Sequence, residues 1–383
     1  MKRTIFILIF ISGIYSAHAQ IIKPGKYVSA GVFYDNDHSL EALGLVNEDR
    51  NYTMGLGVQY SSSGLTHWII YEPHKGLFKI INPKRYKQKK VIGFYNFMFA
   101  NSSFTPDSLI ATYPIANDRP YASLVYFQTN GSFLDIDKRK MTTIGISIGM
   151  LGTNISKAVQ TYFHKKLKYD TPGGWEYQIS NGGSPTLLMT YQEDLLLTKN
   201  PLKEREKGGD TSSTKRFGGE WKAGWKVNVG WYNMVAGEIS FRFGCIDPRN
   251  WTYNTNPLGP ANMFNKDKPD SLLEPREKYY LKEKKGEAYF FATVRTNFVV
   301  YNVLMSGQGG KDAVNIPNSW VRHGVLDGAA GVCFSPVICH SLNLDLKGKL
   351  NFRSPEFEAP GRKPRWHYWG GLELIVSFFY KPR

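Results

Sequence analysis

Cysteine is nearly absent: the 383 residues hold three, Cys245, Cys333 and Cys339. Three cysteines make no disulfide framework, and their spacing fits no zinc site. Cys333 and Cys339 flank Ser335-Pro336, so either a bridge across a hairpin or two packed thiols is compatible with that spacing. Long apolar runs are missing too. Beyond the first twenty residues no stretch is apolar for the roughly eighteen residues that a membrane-spanning helix needs. Acids are the minority charge, with 32 Asp and Glu against 48 Lys and Arg. That balance favours an anionic partner, nucleic acid or phosphate-bearing lipid. The bases cluster at Lys84, Arg85, Lys87, Lys89 and Lys90, and again at Arg362, Lys363 and Arg365.

The amino terminus carries an export signal. Lys2 and Arg3 are followed by the apolar run from Ile5 to Ile11, and Ala17-His18-Ala19 supplies small residues where a signal peptidase reads. Residues 1–19 are therefore expected to be a signal peptide, with one domain over 20–383. Export separates the chain from nucleic acid and leaves lipid phosphate as the expected anion.

What the chain does have is aromatic residues, glycine and a period of two. In Trp221–Trp231, Ala223, Trp225, Val227, Val229 and Trp231 share one face while Lys222, Gly224, Lys226, Asn228 and Gly230 share the other. One apolar face and one polar face suit a barrel wall between lipid and a wet interior. About twelve such segments are legible, at 27–36, 51–62, 90–101, 121–132, 141–150, 184–195, 220–232, 235–246, 286–300, 320–335, 338–352 and 366–380. The expected fold is all-β: a transmembrane antiparallel barrel of about twelve strands in the bacterial outer membrane. Segments 63–89, 196–219 and 247–285 carry no legible pattern.

One stretch departs from alternation. In Ile155–Leu167, Ile155, Val159 and Phe163 recur every four residues, which predicts a helix. Asn154 is placed to cap it, Lys165, Lys166 and Lys168 suit its carboxyl end, and Gln160 and His164 share a face. Strand parity then becomes informative. With the amino terminus inside, the end of the first strand (Asn36, Asp37), the start of the second (Thr53), the entry to the fourth (Asp118, Arg119) and the helix after the fifth (His164) all gather at one rim. Such convergence of distant residues marks a candidate site.

The motifs Tyr34-Asp35-Asn36-Asp37, Asp49-Arg50-Asn51-Tyr52-Thr53-Met54-Gly55-Leu56, Asn117-Asp118-Arg119-Pro120-Tyr121-Ala122-Ser123 and Val159-Gln160-Thr161-Tyr162-Phe163-His164, with Gly174–Ile179 after it, resemble in order and spacing the outer-membrane lipid A 3′-O-deacylases. The resemblance spans about residues 27–195. It implies a twelve-stranded barrel with a site between its wall and a loop helix, and calcium-dependent removal of the 3′-linked acyloxyacyl chain of lipid A. Carried over motif by motif, His164, Gln160, Asn36 and Thr53 are the catalytic-site residues, and Asp37 with Asn36 would hold Ca2+. Asp170 falls where an acidic residue can follow the helix. The family's site lysine has no counterpart in Phe104–Leu109, leaving Arg119 or a helix-end lysine as substitutes, and His38 stands where another acid can occur.

Ester hydrolysis needs a nucleophile, a base and a group to hold the developing oxyanion. No serine stands beside His164 in the helix, so water activated by His164 is the simpler route. A hard cation on oxygen ligands would polarise the carbonyl, with Gln160 and Thr53 orienting water or ester. Asp118-Arg119 reads as a structural ion pair, and Gly174-Trp175 as a turn with an interfacial aromatic. Two other functions fit the same pattern: a non-catalytic porin or binding barrel with an open polar lumen, and an outer-membrane phospholipase. The pattern does not fix the oligomeric state.

Overall fold

The computed structural model describes residues 27–37, 51–62, 65, 68–87, 91–135, 138–198, 216–253, 286–309, 312, 314–339 and 342–379. The expected signal peptide, His38 and the basic residues Lys89 and Lys90 lie outside them.

Antiparallel strands run in chain order: β1 (Tyr27–Asn36), β2 (Asn51–Ser62), β3 (Val91–Thr105), β4 (Ala122–Asp135), β5 (Lys140–Leu151), β6 (Ser184–Leu196), β7 (Arg216–Gly230), β8 (Tyr232–Ile246), β9 (Glu287–Asn302), β10 (Gly324–Ser335), β11 (Val337–Cys339), β12 (Leu342–Arg353) and β13 (His367–Phe379). Each neighbours the next, and the wall closes by β1 on β13, from Tyr27↔Phe379 to Asn36↔Gly370. β10 pairs directly with β12, so the three-residue β11 is a spur on β12 and the closed barrel has twelve strands. The twelve expected segments correspond to these twelve. Cys333 is a buried free thiol packed beside Ile246, Tyr289 and Phe291, so it forms no bridge.

Alternation assigns the two faces. Leu56, Val58, Phe99, Phe127, Ile148, Leu187, Trp221, Trp225 and Val229 are exposed, as a lipid-facing belt requires. The opposite parity points inward and is polar. Lys222 lies 3.4 Å from Asp194 and 3.8 Å from Glu238, and Lys347 lies 3.4 Å from Glu373, all buried. Charges at this density stay buried only because they are paired. The interior is a packed polar core, where the porin reading expected open water.

Trp231 departs from the expected lipid-facing stripe. Gly230 takes φ 140° and ends β7, so the alternation stops one residue early. The indole turns inward to a rim cluster with Phe104, Leu124, Leu151, Ile179 and Leu304.

Among the described residues four helices decorate the barrel: α1 (Glu72–Ile81) and α2 (Pro83–Lys87) between β2 and β3, α3 (Ile155–Leu167) after β5, and α4 (Val303–Ser306) after β9. α1 and α2 occupy the segment that showed no legible pattern. α3 has the expected bounds, and Asn154 stands at its N-cap. The asparagine side chain makes no cap bond, however; its carbonyl accepts from Ala158 N at 3.0 Å.

Candidate active site

The outer wall changes character along β3. Its outward positions read Tyr95, Phe97 and Phe99, then Asn101, Ser103 and Thr105 near the rim, and the last three are buried. Polar side chains facing hydrocarbon would be costly, and α3 covers them. Ser103 Oγ donates to Ser156 Oγ at 2.7 Å, Ser156 lies 2.8 Å from Ser123 Oγ, and Asn101 Oδ1 is within 3.2 Å of Ser156. Gly152 makes the approach possible. Its φ is 76°, its N–H donates to Ser123 O at 2.7 Å, and an added Cβ would sit 1.8 Å from Ser180 O.

The helix is therefore inverted relative to one on a soluble protein. Its buried residues are Ser156, Gln160 and His164, at four-residue spacing, while Ile155, Tyr162, Phe163 and Leu167 are exposed. The apolar stripe that signals the helix in the sequence faces the membrane side, and the polar stripe faces the wall. This follows from the medium: beside a barrel, lipid is the apolar phase.

On the buried stripe two side chains are held in defined orientations. His164 Nδ1 lies 2.6 Å from the backbone oxygen of Asp170, so in the neutral ring Nδ1 carries the proton and Nε2 the lone pair. Asp170 thus contributes through its carbonyl; its side chain is exposed. Trp175 Nε1 donates to Gln160 Oε1 at 2.9 Å. That bond turns the Gln160 amide nitrogen the other way, and Nε2 is buried with no hydrogen-bond partner among the described residues. Trp175 is accordingly no interfacial aromatic. It is fully buried against Tyr121, with ring centroids 4.7 Å apart, and it fixes a site side chain. Gly173 N, bonded to Leu109 O at 2.7 Å, ties this return segment to the loop after β3.

The other expected site residues sit at the same end of the adjacent strands. Asn36 Nδ2 donates to Thr53 O at 3.1 Å, and the Thr53 and Thr105 hydroxyls are 2.5 Å apart. Asn36, Asp37 and Thr53 are buried. Thr53 owes its outward position to a bulge in β2 between Tyr52 and Met54, which swings Tyr52 inward to pack on Phe104 and Trp369. Thr105 and Ser103, two apart on one face of β3, join this group to Ser156 and the helix.

A cation was expected on Asp37 and Asn36. Among the described residues no three His, Cys, Asp or Glu side chains cluster as a metal site. The oxygen donors present are the Asp37 carboxylate, the Asn36 carboxamide oxygen and the Thr53 hydroxyl. An all-oxygen set with one charge fits a hard, loosely held divalent ion such as calcium and not a soft one.

Asp118 and Arg119 do not pair with each other's side chains. Arg119 is fully buried, pairs with Glu356 and lies over the Phe104 ring at 4.4 Å, inside the rim. It cannot replace the absent lysine on the outer wall. Asp118 accepts from Asp107 N at 3.0 Å and lies 3.4 Å from Arg362. Arg362 and Arg365 also pair with Asp107, at 3.1 and 3.2 Å, so this basic cluster is largely neutralised within the protein. Burial alone would raise the Glu356 carboxyl, but the guanidinium groups of Arg119 and Arg353 outweigh it and hold the group at about 2.

A family model described as outer membrane protein LpxR matches residues 5–378, nearly the whole chain. The chain belongs to the LpxR family. Among solved structures, LpxR from Salmonella typhimurium is similar at 16% identity with a TM-score of 0.60, the match covering 92% of this chain and 100% of that one. At that identity the likeness bears on the fold, and it agrees with a twelve-stranded outer-membrane barrel. The translocator domain of the autotransporter NalP from Neisseria meningitidis also matches, at 8% identity and a TM-score of 0.36, over 98% of this chain and 96% of that one. No curated protein matches. LpxR membership places the chain in the outer membrane.

Proposed function

We propose that this protein is a lipid A deacylase that hydrolyses the 3′-linked acyloxyacyl ester of lipopolysaccharide, with His164 as general base. The observation that carries the reading is the buried Gln160–His164 stripe, pressed between an outward-apolar helix and a polar patch of outer wall. A porin needs neither feature, and the packed interior speaks against one. An ester at the membrane surface would meet, one helical turn apart, a lone pair on His164 Nε2 and an N–H donor on Gln160 Nε2.

In this mechanism water bound at His164 Nε2 loses a proton to the ring as its oxygen attacks the ester carbonyl. The Asp170 carbonyl holds the imidazolium that forms by accepting from Nδ1–H. The carbonyl oxygen becomes an oxyanion, and Gln160 Nε2 donates to it. Collapse expels the sugar oxygen, which takes the proton back from His164. Asn36, Asp37 and Thr53 would hold a calcium ion, which when bound supplies positive charge to polarise the carbonyl.

The test is mass spectrometry of lipid A from cells expressing the protein. The expected result is loss of the 3′-linked acyloxyacyl group, abolished in His164→Ala with the barrel intact. Unchanged lipid A from cells carrying well-folded protein overturns the proposal, and release of lyso-phospholipid in its place reassigns the site to phospholipid hydrolysis.

A further inference from the structure

The same sector of outer wall is polar a second time, at the opposite end of the barrel. Asp135, Thr142 and Glu193 have outward parity on β4, β5 and β6, yet all are buried. Arg85 of α2 covers them. Its guanidinium donates to Thr142 Oγ1 at 2.6 Å and lies 3.5 Å from Asp135 and 3.7 Å from Glu193. α1 lies beside it. Phe78 stacks on Phe133 with centroids 4.1 Å apart, Tyr71 packs on Tyr95, and His74 reaches Thr129 O at 3.2 Å. All these wall residues are outward, so α1 and α2 lie on the outside of the barrel, not in its lumen.

Their free surface is not that of a helix in water. Ile69 is 82% exposed and Ile80 75%, with Ile70, Ile81, Trp68 and Tyr86 exposed around them. Interleaved are the exposed bases Lys79, Lys84 and Lys87. The sole acid of the two helices, Glu72, is taken by Lys75 at 2.5 Å. Apolar side chains, interfacial aromatics and lysines with no acidic partner among the described residues together describe an in-plane helix at a lipid–water boundary. The surface also continues the lipid-facing belt: Trp68 stacks near Phe97, which packs on Phe127.

We infer that α1 and α2 seat in the periplasmic leaflet of the outer membrane and recruit anionic phospholipid headgroups through Lys79, Lys84 and Lys87. The assignment of leaflet rests on the end where Tyr27 and Phe379 emerge being periplasmic, the orientation used for the site above. It does not rest on the deacylase reading. The charge pattern selects the occupant. A second copy of this basic surface would repel, whereas each lysine near an anionic surface favours it several-fold.

The experiment uses the full chain in nanodiscs of equal parts phosphatidylcholine and phosphatidylglycerol, with a photo-cross-linking residue in place of Ile80 and, as a control in the belt, of Phe127. Folding is checked by heat-modifiable migration on gels. The expected result is a lipid adduct at both positions. Phosphatidylglycerol is over-represented at position 80 by about threefold or more, falling towards parity in the K79Q/K84Q/K87Q variant. Lipid adducts at position 127 but none at 80 overturn the inference. So does a cross-link from 80 to a second chain, or a headgroup ratio that the triple variant leaves unchanged. Labelling of the 354–366 loop from outside intact cells reads the orientation separately: a loop sealed from outside moves the helices to the other leaflet without altering the nanodisc result.

Discussion

Gln160→Ala is the substitution that bears most directly on the mechanism, because its effects on folding and on rate separate. In the native site the Trp175 indole donates to Gln160 Oε1 at 2.9 Å, and the amide nitrogen is buried without a partner. A polar group left buried without its bond costs about 1–3 kcal/mol, so alanine leaves the Trp175 N–H orphaned and lowers stability by that order. A barrel closed by twelve strand pairings withstands such a loss. The kinetic effect is larger if Nε2 meets the oxyanion: removing one such donor slows kcat by roughly 10²–10³-fold, with KM nearly constant. Trp175→Phe dissects the pair. It removes the indole N–H and keeps an aromatic ring against Tyr121, so Gln160 stays but is no longer aimed. A lost positioning bond of about 1 kcal/mol predicts a fall in kcat of about fivefold. The assay is initial-rate deacylation of purified lipid A in detergent micelles, with thermal unfolding followed by gel migration on the same samples. Gln160→Ala protein that is folded and turns over at the native kcat refutes the oxyanion role, whatever Trp175→Phe does.

Other outcomes follow from the same geometry. His164→Ala should lower kcat by about 10²–10⁴-fold without altering gel migration; folded protein with native turnover would remove the base from the mechanism. Chelation by EGTA should abolish activity, calcium should restore it, and Asp37→Asn should raise the calcium concentration needed; activity indifferent to chelator excludes a cation role at the end of β1. Burial lowers the pKa of His74, against the opposing backbone bonds of Thr129 and Ile70. The released helix binds the proton more readily, so docking of α1 is strongest above the ordinary histidine pKa of about 6.5 and weakens as pH falls below it. Once intrinsic exchange rates, which themselves fall with pH, are divided out, amide protection over residues 72–87 should therefore drop from pH 7.5 to 5.5, and His74→Gln should flatten the dependence. In planar bilayers the protein should conduct no more than a baseline leak, since the inward charges are paired and buried; steady open-channel currents would contradict the packed interior.

The strands were legible because each carries its own two-sided chemistry. Lys222, Gly224 and Lys226 against Trp221, Trp225 and Val229 sufficed to place β7 and both its faces. Its end was misjudged at Trp231, where a glycine conformation that alternation does not record halts the strand. α3 was legible in its bounds, since Ile155, Val159 and Phe163 mark a helix whichever way the stripe turns. The supports of the site were less so. Trp175 acts through a hydrogen bond fifteen residues back in the chain, and nothing in Gly174-Trp175 distinguishes that from a surface turn. The pairing of Arg119 with Glu356 spans 237 residues and was equally hidden. α1 and α2 escaped because Pro73, Gly76 and Pro83 break the helical period into short pieces. The sequence does carry one signal of the site: the outward face of β3 turns from Tyr95, Phe97 and Phe99 to Asn101, Ser103 and Thr105, which a bare lipid-facing wall would not tolerate.

That switch bears on why the proposed hydrolysis would take place on the outside of this barrel. Water activation and an oxyanion both need polar donors held in a pocket from which bulk solvent is excluded. Inside the barrel the donors exist, but Lys222, Glu238, Asp194 and Arg295 satisfy one another and leave no room for a lipid. Against the bare wall a lipid ester would meet only Phe127 and Ile148. Between α3 and the wall the two requirements coincide: Ser103, Ser123 and Ser156 lock the helix down by its polar side, and Phe163 and Leu167 keep its far side in hydrocarbon. In the proposed mechanism the acyl ester meets Gln160 and His164 at this seam between helix and wall. A substitution that loosens the helix without touching either residue should therefore act on the reaction. Ser156→Leu replaces three short hydroxyl and amide contacts with a side chain that cannot lie against Asn101 and Ser103, and lifting the helix exposes the seam to water. Activity should fall while the Gln160 and His164 side chains remain intact, and Ser156→Ala, which fits the same space, should retain more of it. If leucine and alanine at this position were equally active, the seam would not be the place where the ester is cleaved.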